Sequence, residues 1–294
     1  MKTALVSGAN GTVGRALQRE LAARGVTALP YTWSANVDHP EAISRVLDAA
    51  RADAVFHLAV ASSPRGLDNE GWRINVEWPA RLAEACAARQ LPLIFTSTAM
   101  VFSDAARGPF TIDSPPDAAH GYGCEKRVAE ERVLGAHPTA MVVRLGWQIA
   151  DLPEAADPSG GAVAARTHGN ELFAGNQMMA FLEQKMRSDG VVRASRRWLP
   201  ACSFLADTTR GLADLAERAL ADQRPPDQSR AAAPILAGRF HFDSNAEQGA
   251  SFFEIVQELN RRLGERWRIE ADDSFVFDQR LIESRRPLAQ RCFT

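Results

Sequence analysis

Only two tyrosines and three lysines occur among the 294 residues, yet one of each stands at Tyr122 and Lys126, four positions apart. On a helix that spacing puts both side chains on one face, so an ammonium at 126 sits close to the phenol at 122 and favours its ionised form. The tyrosine then becomes a usable acid or base. Random placement of so few residues yields roughly 0.02 such pairs. The 34 basic residues include only three lysines, and a compact ammonium does not replace a planar guanidinium. The pair alone also fits an ordinary surface contact, so other residues must decide.

The second group with a mechanism is Ser7-Gly8-Ala9-Asn10-Gly11-Thr12-Val13-Gly14. It directly follows an apolar strand pattern and opens an amphipathic helix. Glycines there permit a tight turn and close approach of backbone to a pyrophosphate, while the helix start supplies free N–H groups and positive potential. A dinucleotide is the natural ligand. A strand-to-helix turn without ligand is the alternative, because a glycine turn by itself is a weak signal.

These residues need a frame. Apolar runs at Thr3 to Ser7, Val26 to Tyr31, Ala54 to Leu58, Leu93 to Thr96 and Ala140 to Leu145 read as strands. Helical spacing marks Val13 to Ala23, Pro40 to Ala50, Asn75 to Arg89 and Tyr122 to Leu134. Alternation of this kind predicts an α/β fold, a Rossmann-type doubly wound parallel sheet. Beyond Ala150, the stretch from Asp151 to Gly175 carries Pro153, Pro158 and four glycines and predicts a long substrate-covering excursion. Helical patterns return at Gln177 to Arg187, Thr208 to Leu220 and Phe252 to Leu263, with short apolar runs at Val191 to Val192 and Phe240 to Phe242. The expected division is a cofactor-binding domain over 1–150 and a smaller α/β substrate lobe over 151–294, some of whose segments return to the main sheet.

A net charge of −2 provides no basic field for nucleic acid. Cys86, Cys124, Cys202 and Cys292 lack metal-ligand spacing, so no metal site is expected. The opening residues lack a signal-peptide core, and no apolar run approaches the roughly 20 residues that cross a bilayer. A cytoplasmic protein with a small-molecule partner is expected.

The chain resembles the extended short-chain dehydrogenase/reductase superfamily, on three features in order: the glycine turn, Thr98 within Phe95-Thr96-Ser97-Thr98-Ala99-Met100-Val101-Phe102, and Tyr122 with Lys126. Within it the likeness is to the dTDP-4-dehydrorhamnose reductases, on Gly8-Ala9-Asn10-Gly11, the helix from Asn75 to Cys86, Arg144-Leu145-Gly146-Trp147, Asn176, and Phe204-Leu205-Ala206-Asp207. The resemblance implies a nicotinamide cofactor held by Gly8, Asn10, Gly11, Thr12, Val13, Gly14, Arg15, Asn36, Val37, Leu58, Ala59, Val60, Asn75, Tyr122, Lys126 and Leu145. It implies a nucleotide-sugar substrate met by Thr98, Met100, Trp147, Asn176 and Arg280, and a homodimer. Tyr122 would protonate the alkoxide formed by hydride transfer to a ketone, Lys126 would keep the phenol's pKa low and hold the nicotinamide ribose, and Thr98 would polarise the carbonyl.

The departures bear on specificity. Met100 stands where those reductases place a tyrosine, and either Asn36 or Asp38 stands near the adenine. Arg280, Arg285 and Arg286 could clamp a diphosphate or be plain surface charge. The end of the second strand, Leu29-Pro30-Tyr31-Thr32-Trp33-Ser34, offers no carboxylate for a ribose 2′-hydroxyl. With Arg15 just past the glycines this leans to NADP over NAD. His57 reads as structural rather than as a cofactor contact. Asp207 reads as a helix N-cap, and Asn75 either supports the lysine, caps a helix or lies on the surface. The expected activity is an NAD(P)H-dependent reductase of a nucleotide-activated 4-keto sugar. An epimerase with retained cofactor and a non-catalytic cofactor-binding subunit are the alternatives.

Overall fold

The computed structural model describes residues 1–32, 39–61, 66, 68–150, 177–223 and 237–283. The expected excursion from Asp151 to Gly175, together with Asn36, Val37, Asp38, Asn176, Arg285 and Arg286, lies outside them.

Six parallel strands form the central sheet: β1 (Thr3–Ser7), β2 (Thr27–Tyr31), β3 (Ala54–His57), β4 (Leu93–Thr98), β5 (Met141–Leu145) and β10 (Gly238–Phe242), in the order β10-β5-β4-β3-β1-β2. The chain moves outward from β1 to β2 and then returns to the other side of β1 at β3. Open α/β sheets bind their ligands at such a reversal, beyond the carboxyl ends of the strands.

Alternation along each strand divides the core into two layers. Ala4, Val6, Phe56, Ile94, Met141, Val143 and Phe240 face α1 (Thr12–Ala23) and α7 (Leu205–Asp222), where Leu17, Leu21, Leu212 and Leu215 meet them. Leu5, Val55, Leu93, Phe95 and Val142 face α2 (Pro40–Ala50), α4 (Trp78–Ala87) and α5 (Gly121–Ala136), through Ile43, Leu47, Leu82, Ala129 and Val133. Full burial on both faces explains why these strands are continuous apolar runs.

A short helix α3 (Glu70–Trp72) runs through a π-helical stretch, Arg73–Glu77, into α4. The expected helix from Asn75 therefore begins earlier. π-Stretches of this kind occur frequently at functional sites.

A smaller cluster lies beyond β5. It is built on β6 (Trp147–Ile149), α6 (Gln177–Asp189), β7 (Val192–Ala194), β9 (Cys202–Phe204), α8 (Phe252–Arg262) and β11 (Ile269–Ala271), with Ile149, Met179, Leu182, Val192, Phe252 and Val256 buried together. Strands β8 (Trp198–Leu199) and β12 (Phe277–Asp278) pair beside it. Ser251 opens α8 with a capping box to Glu254. Asp207 lies inside the first turn of α7, whose N-cap is Phe204, because β9 passes into the helix without a break. The expected capping role therefore gives way to an ion pair with Arg210 at 3.2 Å.

No helix among the described residues is long and apolar enough to cross a membrane. No cluster of His, Cys, Asp or Glu among them could hold a metal ion.

Candidate active site

The glycine turn occupies the gap between the ends of β1 and β3. Gly8 takes a left-handed φ of +67°, and a Cβ there would lie 2.7 Å from the Leu58 carbonyl carbon. A Cβ on Gly14 would stand 2.1 Å from the Gly8 carbonyl oxygen. Only glycine permits this approach of α1 to the turn. The turn closes with Gly11 N donating to Gly8 O at 3.0 Å.

Helix α1 then starts from Gly11 with no side-chain cap and no acidic residue in its first turn. Its first amides and positive end thus stand uncapped beside exposed Asn10, Gly11 and Arg15. Thr12 and Val13, both half-buried, form its first turn. The chemistry of this cradle fits a pyrophosphate, so a dinucleotide suits the residues present.

Ser7 Oγ accepts from Leu58 N at 3.2 Å and Ala59 N at 3.4 Å, which leaves its proton for His57 Nδ1 at 2.8 Å. That contact fixes the β3 end, with Leu58 half-buried, Ala59 buried and Val60 exposed, against the glycine turn. His57 is wholly buried between Trp78 and Phe95, and burial, with a smaller effect from Lys126, holds it neutral, well below the ordinary 6.5. Its place in the core agrees with a structural role.

Strand β4 runs two residues past its expected end and delivers Thr98, whose Oγ accepts from Met100 N at 3.2 Å across a single 3₁₀ turn, Ala99–Val101. The N-terminus of α5 is set down on this turn. A Cβ at Gly123 would meet the Met100 carbonyl oxygen at 2.0 Å, so glycine is required between Tyr122 and Lys126 for that contact. Met100 itself is 53% exposed. Leu145, in register with Thr98, closes the floor on the β5 side.

Lys126 enters the core completely. Its Nζ donates to Thr96 O at 3.0 Å and lies 4.4 Å from the centre of the Phe95 ring and 6.0 Å from that of Tyr122. Burial pulls its pKa from 10.5 down to about 7, against the opposing carboxylates of Glu130 and Glu125. Burial likewise raises the phenol of Tyr122 above its ordinary 10.0, and Glu125 pushes it the same way. The expected lowering of the tyrosine's pKa is not found, because burial disfavours the phenolate and the Glu125 carboxylate opposes it as well. The phenol is protonated at neutral pH and available as an acid.

Asn75 sits in the π-helical stretch, buried, accepting from Ala61 N at 3.0 Å and donating to Glu125 Oε2 at 2.7 Å. It reaches α5 through Glu125, one residue from the lysine, and is neither a cap nor a surface group.

On the far side Trp147 is half-buried in an aromatic group with Phe181, Trp198 and Phe252, each 5.8 Å away between ring centres. Arg280 is turned inward: its Nε and Nη2 donate to Asp278 at 2.9 and 2.7 Å, and Nη1 to Ala246 O at 3.3 Å. Of the two readings, diphosphate clamp or plain surface charge, the fork matches neither directly: it is engaged within the chain.

Sequence reasoning missed Glu125 and Glu130. The signal for Glu130 was present: Arg144 interrupts the apolar strand β5 and needs a buried partner, and Glu130 lies one turn from Lys126 on the inner face of α5.

Residues 1–155 match the family model described as RmlD substrate binding domain. The chain is similar to the dTDP-4-dehydrorhamnose reductase of Mycolicibacterium smegmatis, 35% identical over 148 residues that cover 49% of this chain and 45% of that enzyme. It spans about half the length of the curated relatives it matches first. Among solved structures, dTDP-4-dehydrorhamnose reductase of Bacillus anthracis in complex with NADP superposes with a TM-score of 0.71 at 15% identity, covering 99% of this chain and 95% of that one. The Bordetella bronchiseptica enzyme WbmG, in complex with NAD and UDP, gives 0.67 at 18% identity, covering 96% and 86%. These likenesses establish the Rossmann-type fold.

Proposed function

The chain belongs to the RmlD substrate binding domain family, and from that premise we propose that it is an NAD(P)H-dependent reductase of a nucleotide-activated 4-keto sugar. One observation carries the reading: the close seat of α5 on the 3₁₀ turn after β4 brings Tyr122 and Lys126 to the strand end that bears Thr98.

The cofactor, when bound, supplies the hydride. Gly8, Gly11 and Gly14, with the uncapped amides of α1, would hold its pyrophosphate, and Lys126 would hold its nicotinamide ribose. Thr98 donates its hydroxyl hydrogen to the substrate carbonyl oxygen, since Oγ already accepts from Met100 N. Tyr122, protonated by its surroundings, gives its proton to the same oxygen as negative charge develops there. Trp147 and its ring neighbours pack the sugar and exclude water. NADP is favoured over NAD by the lack of a carboxylate at the end of β2 and by the exposed Arg15. The same resemblance supports a homodimer working in the cytoplasm, with no nucleic-acid or membrane partner.

The test is oxidation of NADPH followed by absorbance with a panel of dTDP-, UDP- and GDP-linked 4-keto sugars. Consumption with at least one is expected, and none with any of them overturns the reading. Interconversion of epimers without net oxidation would instead assign the epimerase alternative.

A further inference from the structure

One turn beyond Lys126, α5 buries a second charge that the reaction does not use. Glu130 has no solvent exposure, and its carboxylate accepts four hydrogen bonds: from Ser97 Oγ at 2.6 Å, Arg144 Nε at 2.9 Å, Arg144 Nη2 at 2.7 Å and Arg239 Nε at 2.9 Å. The donors come from three adjacent strands, β4, β5 and β10. Ser97 and Arg144 are register partners. Arg144 also donates from Nη1 to His241 Nε2 at 3.2 Å, while Nδ1 of that ring donates to Ile282 O at 3.1 Å.

Stability does not account for this arrangement. Well-packed apolar side chains of similar size commonly match or exceed a buried ion pair. What a saturated carboxylate provides is geometry. Any slide or roll of α5 breaks several charge-assisted bonds at once. The residues so tied are the chain neighbours of the site: Ser97 precedes Thr98, and Arg144 precedes Leu145, which lies in register with Thr98.

We propose that Glu130 is the positioning residue of the catalytic helix: it fixes the height of Tyr122 and Lys126 against Thr98 and keeps a negative charge one turn from the lysine. Only the chemical roles of those three residues rest on the reductase reading. The charged and titratable groups around Lys126 are Tyr122, Glu125 and Glu130 from its own helix and neutral His57 from β3. Of these, Glu130 does most to hold the lysine cationic against burial.

The experiment exploits the scarcity of lysine. In protein carrying ¹³Cε-labelled lysine, Lys126 is the single buried signal beside exposed Lys2 and Lys185. Glu130→Gln keeps the shape and removes the charge. The Lys126 midpoint is expected to fall by about one pH unit or more, the size of a charge lost one helical turn away in a partly screened interior. Turnover is expected to fall about tenfold to a hundredfold with KM for the sugar nucleotide within about twofold, as for a small misplacement of reacting groups. Glu130→Asp is expected to restore the midpoint but not kcat, because the charge returns without the reach.

An unchanged midpoint or unchanged kcat in folded Glu130→Gln overturns the proposal. If that variant does not fold, Ser97→Ala decides: it removes one of the four bonds and leaves the charge, so a severalfold loss of kcat with an unchanged Lys126 midpoint is expected, and wild-type kcat overturns the proposal. The titration needs no substrate. Failure of every 4-keto sugar would therefore sink the reductase reading without touching this measurement.

Discussion

Two stretches of one helix face the same core, one turn apart, and are treated in opposite ways. Lys126 has a single carbonyl at 3.0 Å and a ring face at 4.4 Å, and burial drags its pKa from 10.5 to about 7. Glu130 is equally dry, and burial alone would raise its carboxyl. Arg144, Ser97 and Arg239 outweigh that and hold it below the ordinary 4.5. Desolvation is common to both sites, while the number of hydrogen bonds to the charged form differs. The charge with one hydrogen bond is brought near neutrality, and the one with four stays ionised where it ties the helix to three strands.

Four variants break or sharpen that contrast. Tyr122→Phe removes the acid and should lower kcat about 10²- to 10⁴-fold; NADPH binding, followed by quenching of tryptophan fluorescence, should stay near wild type. Unchanged turnover would dismiss Tyr122 as the proton donor.

Lys126→Met tests the under-satisfied end. The folded-state pKa lies below that of the unfolded chain, so between about pH 7 and 10.5 the unfolded state binds more protons and stability rises with pH. The full rise is on the order of 4–5 kcal/mol. The methionine variant should flatten this slope in denaturant titrations across that window, and a slope that persists would assign it to other groups.

Glu130→Ala strands the fully buried guanidinium of Arg144 and should cost about 3–5 kcal/mol in urea unfolding. Arg239→Met removes the one donor with appreciable solvent access, 32% exposed. A loss of about 1 kcal/mol is expected, with Arg144 still pairing the carboxylate. An equal loss from both variants would mean that the cluster does not depend on its buried arm.

Much of the frame was legible. The apolar runs of β1, β3, β4 and β5 and the period of α1 and α2 fall within a residue or two of their expected bounds, because strand alternation and helical spacing are local properties. The glycine turn was legible for the same reason. The π-helical stretch at Asn75 was not, since its wider pairing answers to what packs around it. Asp207 was misplaced by a boundary that β9 sets, and Arg280 by a partner two residues away that the fold turns toward it. Arg144 stood out, yet its partner lay on a helix whose buried face is defined only once α5 meets β4 and β5.

The sequence by itself determined which groups can react and how they repeat along a helix or a strand: Tyr122 and Lys126 on one face, Thr98 at a strand end, glycines where a backbone must pass closely. Only the tertiary structure decided their states. It kept the phenol protonated, brought the ammonium near neutrality and closed the Glu130 carboxylate among four donors. Spacing acts over a few bonds, whereas desolvation and buried pairing sum over strands and helices that are distant in the chain and meet only in the folded core.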